Sequence, residues 1–394
     1  MENVTWKLNG KVLYISLIGH IDSANAALCE EEILKVEKEN QPENVVINCG
    51  QLKYISSAGL RILLRQRKSY PGLQVVDVSS EVYDILEMTG FTEMMDVQKA
   101  YRVVSVTGCE VIGQGANGKV YRIDRDTIVK QYFNPDSLAE IHRERELART
   151  ALIAGIPTAI SYDVVKLKEG GYGSVFELLE AKSFANLLQT GEKTVDEVVD
   201  MSVDLLKLIH STEVSPDSMP DMKQVAIRWT EYLKEHLPEE IYTKLHRMME
   251  EVPEDHHMMH GDYHLKNIML QNGEALLIDM DTLCYGHPIF ELASMFNAYA
   301  GFSEADPKIS RAFLGIEHEE ALAVWNKSLK KYLGTDDEDR INEVREKAMI
   351  IGCTRLLRRG LRRNEQDNEI GRKQIENSRR HILELVPKYD TLTF

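Results

Sequence analysis

The sequence predicts two folds in tandem: an α/β domain of mixed sheet with helices over residues 1–102, then an α+β fold of two lobes, 103–181 and 182–394. Three observations predict them. The first hundred residues alternate short β-like runs with amphipathic stretches in the order β-β-α-β-α-β-α, which implies helices packed on a mixed sheet. A glycine-rich segment then opens at Val111 as strand, turn and strand. Beyond residue 182 the apolar spacing is mostly helical.

In the first domain VTWKL and KVLYISLIG flank Asn9-Gly10, a pair that tolerates the positive φ of a type I′ turn, so a hairpin is expected there. SANAALCEEEILKVEKE has helical spacing and a serine start, NVVINC is a compact apolar strand, and SAGLRILLRQRKSY is helical. LQVVDV adds a strand and SSEVYDILEMTG a helix. Ser56 and Ser57 stand where a strand gives way to a helix, where either can cap the helix by accepting a backbone N–H bond.

Composition limits the function. With 394 residues and 43% hydrophobic content the chain can bury more than one core. Neither the N-terminus nor any later run has the apolar length to cross a bilayer, and nothing suggests export. The cysteines, at 29, 49, 109, 284 and 353, lack the paired spacing of a zinc or disulfide framework, which fits a reducing cytoplasm. A net charge of −16 argues against nucleic-acid binding, which needs local positive excess. The exception is TRLLRRGLRR, where Arg355, Arg358, Arg359, Arg362 and Arg363 form either an anion-binding stripe or a solvated helix face.

The second part carries the chemistry. EVIGQGANGKVYRI places Gly113, Gly115 and Gly118 ahead of Val120. A dinucleotide-binding turn would join strand to helix, whereas here KVYRI, an Asp-Arg-Asp turn and TIVKQY give strand, turn and strand. That order suits a glycine hairpin over phosphates, with Lys130 on the α- and β-phosphates; alone, a strand lysine is as readily a snorkelling surface residue. The helix IHRERELARTALIAGIP offers Glu144 and Glu146 to hold Lys130, and the spacing to Gly-Ile-Pro favours Glu144. GYGSVFELLEAKSF runs from strand to linker, where adenine would bond backbone near Glu177 and Leu179.

In HGDYHLKN, Asp262 precedes Asn267 by five positions. Phosphoryl transfer needs a carboxylate to orient the attacking hydroxyl and oxygen ligands for a divalent cation, roles suited to Asp262 and Asn267. Gln271-Asn272-Gly273-Glu274 reads as a hairpin whose second strand delivers Asp279 as a second metal ligand, with Asp281 on the same side if the strand persists. His260 and His264 have the i, i+4 spacing of a helical zinc pair, but Gly261 breaks the helix and no further ligand follows. His260 is expected instead to hold the backbone beside Asp262. The helical stretch VDEVVDMSVDLLKLIHS is expected to pack the core.

These motifs carry two resemblances. GHIDSANA, the strand before Cys49 and ISSAGLRILL together resemble the sulfate-transporter and anti-sigma-antagonist (STAS) domain, which implies a protein partner and phosphorylation at Ser57, the serine two before the glycine; Ser56 stands where that family often has Asp. HGDYHLKNIML, LLIDMDT and HPIFELASM resemble the aminoglycoside and choline phosphotransferase branch of the kinase-like superfamily. That resemblance implies a two-lobed protein-kinase-like fold, ATP and Mg²⁺, Asp262 as base, and Asn267 with Asp279 on metal. Asp-Phe-Gly and Ala-Pro-Glu segments are missing, and Glu291 stands where the branch often has Asp before Leu-Ala. The expected activity is γ-phosphoryl transfer to a hydroxyl of a small molecule, with the STAS domain for regulation or protein interaction and with neither nucleic acid nor membrane as a partner. The alternatives are a regulatory serine kinase and a nucleotide-binding scaffold in an anti-sigma-type circuit.

Overall fold

The computed structural model describes residues 3–115 and 117–394, and the chain divides into two compact units, Met1–Thr107 with Val164–Gly173, and Gly108–Asp163 with Ser174–Phe394.

The first unit is built on a five-stranded sheet in the order β1-β2-β3-β4-β5. Its elements are β1 (Val4–Asn9), β2 (Val12–Ile21), α1 (Ala26–Asn40), β3 (Asn44–Ile55), α2 (Ser57–Ser69), β4 (Gln74–Val78), α3 (Ser80–Met88), α4 (Phe91–Met94) and β5 (Asp96–Lys99). Only β1 runs antiparallel to its neighbour; β2, β3, β4 and β5 pair in parallel, so the sheet is mixed. The first hairpin turns one residue later than its sequence suggests. Asn9 pairs with Val12, leaving Gly10-Lys11 as the turn, and of the two only Gly10 takes a positive φ. The side-chain alternation sets this register, since Leu13, Ile15 and Leu17 must face the core together. Against that face pack Cys29, Ile33 and Val36 of α1, and Leu60 and Leu63 of α2. A further strand, β6 (Arg102–Val104), pairs in parallel with residues 165–167, which draws 164–173 into this unit. Glu169 secures the joint by accepting from Thr107 N (3.0 Å) and Thr107 Oγ1 (2.5 Å).

The second unit begins with an antiparallel meander, β7 (Glu110–Gln114), β8 (Gly118–Arg122) and β9 (Thr127–Tyr132), followed by α5 (Leu138–Ile153); the chain then enters the first unit as β10 (Asp163–Leu167) and returns within β11 (Tyr172–Glu177). The remainder is mostly helical: β12 (Lys182–Ser183), α6 (Phe184–Gln189), α7 (Val195–His210), α8 (Met222–Tyr232), α9 (Glu239–Glu250), β13 (Met258–Met259), β14 (Ile268–Gln271), β15 (Glu274–Leu277), β16 (Cys284–Tyr285), α10 (Ile289–Phe296), α11 (Lys308–Phe313), α12 (His318–Leu333), α13 (Glu338–Arg362) and α14 (Glu369–Leu385). α7 starts with a full capping box between Thr194 and Glu197, and its Val198, Val199, Val203 and Leu206 enter the core. α13 is the long spine, packed on α10, α14 and α8. No helix among the described residues is long and apolar enough to cross a membrane.

Candidate functional site

The glycine hairpin is shaped by one close approach. A Cβ at Gly118 would lie 2.1 Å from the carbonyl oxygen of Gln131 on β9, so only glycine lets β8 pair there. Gly113 and Gly115 have room for a Cβ, so sterics do not require glycine at either. Gly115 N–H donates to Gly118 O at 3.0 Å. Val120 sits directly opposite Lys130 in the β8–β9 register. From the same turn, Asn117 Nδ2 donates to Asp281 Oδ2 at 3.2 Å, tying the hairpin to the loop after β15.

Lys130 joins β9 to α5 and to the loop after β15. Its ammonium donates to Glu144 Oε1 (2.9 Å) and Oε2 (3.1 Å) from α5, and to Asp279 Oδ1 (2.6 Å). Glu146 on the same helix is exposed. The Tyr132 hydroxyl, two residues along β9, donates to Glu144 Oε2 at 2.6 Å and lies 3.2 Å from Ser174 Oγ. Burial opposes the Lys130 charge, but the carboxylates of Glu144 and Asp279 outweigh it and hold the ammonium above the ordinary lysine range.

The loop from His260 to Asn267 is locked by backbone bonds. Gly261 has φ +79° and no space for a side chain, since a Cβ would meet Thr282 O at 2.3 Å. His260 is fully buried: its Nε2 donates to Ile278 O at 3.1 Å and its Nδ1 accepts from Asp262 N at 3.3 Å. Both ring nitrogens are therefore committed in one neutral tautomer, and burial lowers its pKa. Glu291 of α10 accepts from His260 N (2.5 Å) and Gly261 N (3.0 Å), and burial pushes its carboxyl up to about 7 against the pull of those N–H donors.

Asp262 lies 3.4 Å from His264 Nε2 through Oδ2, and Arg355 Nη1 reaches Gly261 O at 3.5 Å and Ser294 Oγ at 3.2 Å. Burial disfavours the Asp262 carboxylate, yet His264 and Arg355 hold its pKa down at about 2. Asn267 Nδ2 donates to Asp262 O at 2.9 Å, which fixes the amide and leaves its oxygen as the free end. Asn272 and Gly273 both take positive φ between β14 and β15, as a type I′ turn requires. The strand does not persist to Asp281. β15 ends at Leu277, Asp279 adopts a left-handed conformation (φ +64°, ψ +62°), and Asp281 lies in a single 3₁₀ turn. Burial and the neighbouring Asp279 raise Asp281 to about 7, a surplus of negative charge that a cation would relieve.

Glu177 ends β11, and Leu178 N–H donates to Asp126 O at 2.8 Å, so the chain through Leu179 is pinned beside the hairpin's far end. In the first unit, Ser56 is the cap of α2, accepting from Ala58 N at 3.2 Å, while Ser57 is the exposed first residue of the helix. Sequence reasoning passed over Asn117 and Tyr132, and it read His264 only as half of a zinc pair and Arg355 only as part of the arginine stripe. Asn117 lay inside the glycine motif as an unread position. Tyr132 and Arg355 bear on the site through contacts 12 and 94 positions along the chain, and His264 through Asp262 two residues before it.

Residues 108–325 match the phosphotransferase enzyme family and residues 3–105 match the STAS domain. The first unit is also 35% identical over 95 residues to a protein of Bordetella bronchiseptica named as a candidate anti-sigma factor antagonist, BtrV, covering 23% of this chain and 80% of that one. Among solved structures, a thermostable mutant of aminoglycoside phosphotransferase APH(4)-Ia in ternary complex with AMP-PNP and hygromycin B shares the fold at TM-score 0.50 and 13% identity, covering 72% of this chain and 94% of its own. A second mutant of that protein, with ADP and hygromycin B, matches at TM-score 0.50 and 13% identity over 77% and 97% of the two chains.

Proposed function

The chain belongs to the phosphotransferase enzyme family, and on that premise we propose that it moves the γ-phosphoryl group of ATP to a hydroxyl of a small molecule, in the cytoplasm, under the influence of its STAS domain. The observation that carries the reading is Lys130 Nζ held between Glu144 and Asp279 within the unit that also presents Asp262 and Asn267. A cationic group held by two carboxylates is fixed in place for phosphate oxygens, with Gly113, Gly115, Gly118 and Val120 above them and adenine against the backbone near Glu177 and Leu179.

The donor set fits Mg²⁺. Among the described residues no three acidic, histidine or cysteine groups form a metal cluster by themselves. Mg²⁺ needs few protein ligands, since it keeps several waters and shares phosphate oxygens. Asn267 and Asp279 would hold it, and it would neutralise charge on the phosphates. Asp262 would orient the acceptor hydroxyl and take its proton, its carboxylate kept ionised by His264 and Arg355. In the first unit, exposed Ser57 beside the capping Ser56 is the proposed phosphorylation site; a phosphate there would sit at a helix N-terminus and alter a partner's surface.

The test is calorimetric titration of AMP-PNP with and without Mg²⁺, on the wild type, Asn267→Ala and Asp279→Asn. Mg²⁺ should tighten binding to the wild type by about tenfold or more, and each variant should lose most of that gain. The same Mg²⁺ enhancement in all three would remove both residues from the metal site.

A further inference from the structure

Arg362 and Arg363 are solvated, but Arg355, Arg358 and Arg359 of α13 are not. Arg355, Arg358 and Arg359 recur at i, i+3 and i+4, so they share one side of the helix, and all three are half-buried. Each guanidinium lies over an aromatic ring: Arg355 over Trp229 at 5.7 Å, Arg358 over Tyr232 at 5.7 Å, and Arg359 over Phe302 at 5.1 Å. Each guanidinium carries five N–H donors, so Arg355, with Nη1 on Gly261 O and Ser294 Oγ, and Arg359, with Nη2 near Glu365, still have others to offer.

Their charge is poorly balanced. Among the described residues one carboxylate pairs with the three, Glu365 at 3.5 Å from Arg359 Nη2, in a chain whose net charge is −16. Arg358 Nε is buried with no hydrogen-bond partner. Burial first, and neighbouring arginines after it, press the Arg358 and Arg359 pKa values down, with Glu365 opposing the shift at Arg359. Half-buried charge of one sign costs stability unless something binds it.

The cluster adjoins the proposed transfer site on two sides. Arg355 reaches Gly261 O, next to Asp262. On the other side, Arg359 covers Phe302, Phe302 meets Phe313 edge-on at 5.5 Å, Phe313 meets His264 at 5.0 Å, and His264 lies against Asp262. A hydroxyl presented to Asp262 therefore brings the rest of its molecule toward guanidinium groups. An amino sugar, with its protonated amines, would be repelled there.

We propose that the acceptor is a hydroxyl-bearing small molecule that itself carries an anionic group, phosphate or carboxylate, bound by Arg355, Arg358 and Arg359. This assignment rests on the phosphotransferase reading and adds the acceptor's charge to it. In the reaction the acceptor oxygen bonds to the γ-phosphorus as the bond to the β-bridging oxygen breaks; ADP leaves with that electron pair and Asp262 receives the hydroxyl proton.

The experiment passes a cell metabolite extract over an anion exchanger at neutral pH and offers each fraction, with γ-labelled ATP and Mg²⁺, to the full-length protein. Labelled product should form from the retained, anionic fraction. With that fraction, Arg358→Gln and Arg359→Gln should each raise KM about tenfold or more with kcat changed far less, whereas Arg359→Lys, which keeps the charge, should retain most of the affinity and guards against a folding defect. Product from the flow-through alone would overturn the anionic acceptor while leaving phosphoryl transfer intact, as would an unchanged KM in both glutamine variants. Label only on the protein would also overturn it. No label moved from either fraction would remove the phosphotransferase reading and this inference with it.

Discussion

Replacing Lys130 with Met tests whether that lysine is a buried counter-ion or a snorkelling surface residue. The Lys130 and Glu144 side chains are 15% and 8% exposed, so the substitution strands a carboxylate inside the protein. Breaking a buried pair in this way costs about 3–5 kcal/mol, and an exposed lysine would cost under about 1 kcal/mol. Two features favour the lower end of the range: the Tyr132 hydroxyl still donates to Glu144 at 2.6 Å, and Asp279, 44% exposed, stays solvated. About 3 kcal/mol is therefore expected at pH 7. The loss should shrink toward pH 5, because a stranded carboxyl has a raised folded-state pKa, and the penalty for ionising it fades as pH falls through that value. Adding Glu144→Gln removes the stranded charge and should return about 2 kcal/mol, a coupling that a double-mutant cycle isolates. Urea unfolding followed by tryptophan fluorescence in a Trp6→Phe background reads the second unit alone, since Trp229 and Trp325 are its tryptophans. A Lys130→Met loss of under about 1 kcal/mol, or a double variant no more stable than the single, would refute the reasoning.

Glu291→Gln should change how stability depends on pH. A carboxyl raised to about 7 in the fold binds its proton more tightly folded than unfolded, so the wild type loses stability as pH climbs from the ordinary glutamate range to about 7. That loss is worth about 3 kcal/mol at most, and the glutamine variant should lack this slope in the same fluorescence assay. In the first unit, Ser56→Ala should loosen α2 by about 1 kcal/mol through loss of its cap, and Ser57→Ala by under about 0.5 kcal/mol. Hydrogen exchange of the α2 amides measures both, and equal effects would contradict the separate roles of the two serines.

Local chemistry was legible in the sequence wherever a short motif determines the backbone. Asn272-Gly273 announces its turn because both residues must take positive φ, and Gly118 sits where only glycine fits beside Gln131. The serine pair announced a helix start, but not which serine caps. At Asn9-Gly10 the same dipeptide signal failed by one residue, because the inward alternation of Leu13, Ile15 and Leu17 outranks the turn preference. β5, spelled DVQK, has too little apolar pattern to be read as a strand until β4 supplies its neighbour. Beyond the Lys130–Glu144 pair, contacts between distant segments were not legible. Asn117 meets Asp281 across 164 positions and Arg355 meets Gly261 across 94, and nothing near either residue encodes the partner. The arginine run illustrates the limit: its helical spacing is visible, while the rings beneath it come from α8 and from Phe302.

The most direct test of the central claim compares the wild type with Asp262→Asn for transfer of label from γ-labelled ATP to any small molecule of an unfractionated metabolite extract, in the presence of Mg²⁺. The wild type should deliver label to a small molecule, and the variant should do so about a hundredfold or more slowly while binding AMP-PNP with similar affinity. Equal transfer by both proteins, or none by the wild type, would contradict the assignment of Asp262 and its surroundings as the site of phosphoryl transfer.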